Sequence, residues 1–118
     1  MKLSRARKAI KTIKSSNLRR DFERIVTRIE KLAETNTELA GARLSSLMGL
    51  TFDLQHTLPA TVRFSLVDGL FADAAKNNVP HQWERKEGFA CGTDNLCSEE
   101  KEDSTCYRDT SGGTCVSR

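Results

Sequence analysis

The stretch from Cys91 to Cys115, CGTDNLCSEEKEDSTCYRDTSGGTC, holds all four cysteines of the 118-residue chain. Everything upstream reads as helix, so what this stretch does decides the fold class. From Glu87 to Arg118 three Lys/Arg stand against seven Asp/Glu, and the large apolar residues are Phe89, Leu96, Tyr107 and Val116. So few apolar side chains do not offset the entropy of ordering the backbone without crosslinks, a metal or a partner.

Five, eight and eight residues separate successive cysteines. Structural zinc sites normally draw on pairs two to four residues apart, and a thioredoxin-like centre also needs a close pair, so this spacing predicts no metal and no redox motif. An even number of cysteines in a short acidic segment predicts disulfides, with three pairings open. Covalent crosslinks are therefore expected at Cys91, Cys97, Cys106 and Cys115, in an irregular tail over 91–118.

Thr93, Ser98, Ser104, Thr105, Thr110, Ser111, Thr114 and Ser117 lie among these cysteines. A helical front half followed by a Cys/Ser/Thr tail resembles, in layout, precursors of ribosomally made modified peptides such as the lanthipeptides. Phe52-Asp53-Leu54-Gln55 is similar to a leader motif that some of their enzymes bind. The resemblance implies thioether crosslinks, a tail released near Val79 to Gly88, and a processing enzyme as partner.

Upstream of the tail, Val79 to Ala90 reads as a linker and residues 15–78 as a helical core. Leu18, Phe22, Ile25, Ile29, Leu32 and Leu39 follow an a/d pattern with Asn36 in the remaining slot, which predicts one helix from about Leu18 to Ala40. This face packs either in a bundle or as a coiled-coil seam between copies, a possible homo-oligomer through this helix. Gly41 is placed as a stop or bend, and a mostly buried helix is expected from about Ala42 to His56. Thr57 with Pro59 reads as the start of another, ending before Asn77-Asn78.

Residues 1–14 form a basic amphipathic helix: Leu3, Ala6, Ile10 and Ile13 share one face, and Lys2, Arg5, Arg7, Lys8, Lys11 and Lys14 surround it. From Met1 to Lys31 eleven Lys/Arg meet three acids, a net +8, whereas the rest of the chain carries eight against thirteen, a net −5. Such a head is suited to an anionic partner, a membrane surface or nucleic acid, and those six cations are the expected binding residues. Met1 to Arg20 lacks acids and carries eight basic residues, as mitochondrial presequences do, but no apolar core of a secretory signal is present. No apolar run approaches the roughly 20 residues needed to cross a bilayer.

Catalysis finds no motif. His56 lies three residues from Asp53 and His81 two from Trp83, but no nucleophile is placed by a recognisable pattern and Gly112-Gly113 opens no helix. The expectation is therefore an all-α protein without enzymatic activity, cofactor or small-molecule substrate: a small three- to four-helix bundle with an irregular cysteine-containing C-terminal segment.

Overall fold

Ser15 opens the first long helix in the manner expected of a capping residue, its Oγ accepting the amide of Leu18 at 3.2 Å. The computed structural model describes residues 1–118. In chain order the elements are α1 (Ser4–Ile10), α2 (Ser16–Ala33), α3 (Thr37–Asp53), α4 (Ala60–Lys76), β1 (Trp83–Ala90), β2 (Glu99–Asp109) and β3 (Cys115–Ser117). They divide between two units, Met1–His81 and Gln82–Arg118. The protein is thus α+β, with four helices and a three-stranded antiparallel sheet, and the all-α expectation is corrected.

Within the helical unit the expected helix from Leu18 to Ala40 is two helices. The chain leaves α2 after Ala33, and Asn36 adopts an extended backbone from which its Oδ1 accepts the amide of Leu39 at 3.0 Å. Asn36 is therefore the N-cap of α3 and occupies no seam position; a short polar side chain caps well because it reaches the unpaired amides of a first turn. On α2 the buried row is Phe22, Val26 and Ile29, while Leu18, Ile25 and Leu32 lie half-buried at its margin. Leu39, the last member of the expected stripe, belongs to α3 and is 40% exposed.

Gly41 does not stop a helix either. It sits inside α3, buried, and a Cβ there would coincide with the carbonyl of Pro80. The residue is needed because the chain leaving α4 crosses α3 at backbone distance. That departure follows the expected route: Asn78 takes a positive φ of 54° directly after α4, the left-handed turn that asparagine tolerates. At the other end of α4 the capping residue is Pro59, not Thr57.

The helical core is built from Leu3, Ala6, Ile10 and Ile13 at the start of the chain, the α2 row, and Leu44, Leu47, Met48, Leu66, Val67 and Leu70 of α3 and α4. Phe52 and Phe64 close one end with their rings edge-on at 5.6 Å. Thr51 is fully buried among them, and its hydroxyl donates to the carbonyl of Leu47 at 2.7 Å, so no polar atom there is left unsatisfied.

The second unit corrects the reading of the tail as irregular. The strands pair in the order β1-β2-β3, with Trp83 opposite Asp109, Arg85 opposite Tyr107, Lys86 opposite Cys106 and Arg108 opposite Cys115. β1 occupies most of the stretch 79–90 expected as a linker. Side chains alternate across a strand, so Tyr107 and Val116 share one face with Arg85, while Cys106, Arg108 and Cys115 share the other with Lys86. The register slips between Glu87 and Phe89, where Gly88 has φ +80° and Asp103 on β2 has φ +68°. Trp83, Ala90, Cys97, Cys106 and Tyr107 are its buried apolar residues, a small core for 37 residues. Two disulfides, Cys91–Cys115 and Cys97–Cys106, supply the rest. Each closed loop typically contributes ~2–4 kcal/mol by restricting the unfolded chain.

Candidate functional site

α1 is seven residues long and has no side-chain cap of its own. Two carboxylates from other helices hold it instead. Asp73 of α4, 3% exposed, accepts the amides of Ala6 at 2.9 Å and Arg5 at 3.3 Å. These first-turn amides carry the positive end of the helix, so a carboxylate is the fitting acceptor. Glu30 of α2 accepts the Leu3 amide at 2.8 Å through Oε2 and the Arg7 guanidinium at 2.7 Å through Oε1. Burial alone would push the Glu30 carboxyl up, but the bonds from Arg7 and the Leu3 amide outweigh it and hold the group below the ordinary carboxylate range. The same bond to Glu30 raises the Arg7 guanidinium. Neither Asp73 nor Glu30 was distinguishable in the sequence from a solvated acid; the one signal was their place within rows of buried α4 and α2 residues.

This docking separates the six expected cations. Arg7 faces inward onto Glu30 and Thr27, whereas Lys2, Arg5, Lys8, Lys11 and Lys14 are exposed. The apolar face that would lie in a membrane interface is not available. Leu3, Ala6 and Ile10 have no exposure and Ile13 has 3%, all inside the helical core. Next to α1, Arg19 donates to the Ile13 carbonyl at 2.7 Å, while Arg28 and Lys31 of α2 are exposed beside the residues that hold Arg7. Exposed cations therefore lie on α2 as well as on α1.

In the second unit the four cysteines bond to one another in a nested pairing. Their sulfurs also meet across the two bridges: Cys106 Sγ lies 3.4 Å from Cys115 Sγ and 3.8 Å from Cys91 Sγ. The loop 92–98 above them is held by Asp94, which accepts the Leu96 amide at 3.1 Å and the Ser98 hydroxyl at 2.8 Å. The Ser98 bond, followed by that of Leu96, holds the Asp94 carboxyl below its ordinary range. Asp109 serves the β2–β3 turn in the same way, accepting the amide and hydroxyl of Ser111 at 3.0 and 2.9 Å.

The histidines take no part in either place. His81 packs edge-on against Phe71 at 5.0 Å, and burial lowers its imidazole below the usual value. His56 and Asp53 are both exposed at the end of α3. No helix is long and apolar enough to cross a membrane. No family model, curated protein or solved structure matches the chain.

Proposed function

We propose that the chain is a non-catalytic association module whose helical unit engages an anionic, phosphate-bearing partner through charge alone, and whose second unit is a disulfide-stapled appendix. The observation that carries this reading is the separation on α1: five cations face solvent and close no ion pair, while the apolar stripe between them is buried. A helix that dips into lipid needs that stripe on its outer face. With the stripe occupied by the core, the remaining attraction is electrostatic, and no aromatic side chain stands among the exposed cations to stack on a base. A nucleic-acid backbone fits this surface better than a lipid interior does.

The test is a titration of the intact chain against duplex DNA and against anionic vesicles at two salt concentrations. Five phosphate contacts correspond to a log–log salt slope of about −4.5 on duplex DNA, and each Lys→Gln change among Lys2, Lys8, Lys11 and Lys14 should flatten it by about 0.9. Absence of binding to both at low salt overturns the reading. Binding to vesicles that persists at high salt would mean that α1 undocks and inserts.

A further inference from the structure

In the second unit the two disulfides lie against each other. Cys91, Cys106 and Cys115 bring their sulfurs within 4.8 Å of one another, and Cys97, outside that trio, is bonded to Cys106. In a tetrahedral thiolate site with zinc–sulfur bonds of about 2.3 Å, the sulfurs stand about 3.8 Å apart. Two of the four non-bonded edges, from Cys106 Sγ to Cys115 Sγ and Cys91 Sγ, already have about that size at 3.4 and 3.8 Å; the fourth sulfur, Cys97, has to move in once its bond to Cys106 is broken. We infer that, once both bridges are reduced, Cys91, Cys97, Cys106 and Cys115 form a four-thiolate site for zinc or another thiophilic divalent cation. The chain spacing of these cysteines lacks the close pairs of common zinc knuckles, but the sheet does the work of a knuckle. β2 and β3 carry Cys106 and Cys115 on one face, and the two ends of the loop 92–98 bring Cys91 and Cys97 to them.

The surroundings fit the charge of such a site. Reducing both bridges takes four electrons from an external dithiol or phosphine and four protons, from the dithiol or, with a phosphine, from water as the phosphine becomes its oxide; binding one divalent cation to the four thiols as thiolates then releases four protons and leaves a group of charge −2. Lys86 is paired opposite Cys106 and Arg108 opposite Cys115, in a unit where acids outnumber bases. Strand alternation puts both cations on the cysteine face, together with Glu84, whose carboxylate lies 3.6 Å from the Arg108 guanidinium. Arg108 Nε is moreover buried without a hydrogen-bond partner, a donor that two neutral bridges leave unused and an anionic metal–thiolate cluster would employ.

The experiment takes the full chain, reduces it anaerobically with a phosphine, and titrates it with Co²⁺ and then Zn²⁺. A single equivalent of Co²⁺ should give thiolate-to-cobalt charge-transfer bands with intense tetrahedral d–d bands, both displaced by Zn²⁺. The native mass should gain one zinc. Cys106→Ser and Cys97→Ser, tested in the same reduced state where no native bridge is required, should each weaken zinc binding at least tenfold. Reduced protein that gives no charge-transfer band and retains no zinc overturns the inference, as does a Cys106→Ser chain that binds Co²⁺ with the spectrum and affinity of the parent.

Discussion

Asp73 caps a helix to which it does not belong: its carboxylate accepts the amide of Ala6 at 2.9 Å from a position 67 residues away in the chain. α1 is too short to be stable alone, since nucleating a helix fixes several residues for a single hydrogen bond. Its place in the molecule therefore depends on α4 and α2. Because α1 presents the exposed cations, the proposed surface for an anionic partner depends on that docking as well.

Asp73→Ala leaves the amides of Ala6 and Arg5 without their acceptor in a buried setting, and should destabilise the helical unit by about 1–3 kcal/mol. Asp73→Asn keeps an acceptor oxygen and should cost less. Urea unfolding followed by the helical circular-dichroism signal measures both. Equal losses in the two variants would show that the carboxylate charge, and not hydrogen bonding, holds α1.

Acid should loosen the helical unit in two separable steps. Burial holds His81 below its ordinary value, so the unfolded chain takes up a proton near pH 6.5 before the folded chain does. Its stability is whole above that pH and declines as pH falls toward the folded value. Despite its burial, Glu30 is held low by Arg7 and the Leu3 amide, so its contribution is whole above the unfolded carboxylate range near pH 4.3 and is lost below it. A pH series of urea midpoints should lose its first step in His81→Gln and its second in Glu30→Gln; an unchanged profile in either variant contradicts the assignment.

Asn36 tests the break between α2 and α3. Asn36→Ala removes the bond to the Leu39 amide and should cost about 1 kcal/mol, within the usual 0.5–2 range for a lost cap. Asn36→Leu should also destabilise, without shifting the sedimentation of the protein, because position 36 lies outside any helix seam. A gain in stability with a change of oligomeric state would instead restore the seam.

Gly41→Ala should be among the most costly single-atom additions in the chain. The new methyl would meet the Pro80 carbonyl inside a packed crossing, and overpacking of this kind typically costs 1–3 kcal/mol. Gly88→Ala meets no atom, so its cost should come from the φ of +80° alone. Comparing thermal unfolding of the two, each read in its own unit, separates steric from conformational cost.

The sequence by itself determined the features that depend on near neighbours. Three- and four-residue spacing marked the first unit as helical, Asn77-Asn78 marked the end of its last helix, and the poverty of apolar residues after Glu87 called for crosslinks, a metal or a partner, of which two disulfides are present. Only the tertiary structure decided the break at Asn36, because a capping residue and a polar seam residue look alike until the backbone turns. It also decided the sheet. β1 and the first half of β2 carry charged residues on both faces, so their pairing leaves no apolar alternation to read and rests on hydrogen bonds between distant residues, two bridges and Tyr107. The cationic head was legible as charge, but which of its faces meets solvent was not. That was settled by Asp73 and Glu30, whose partners lie on another helix and whose roles no local pattern encodes.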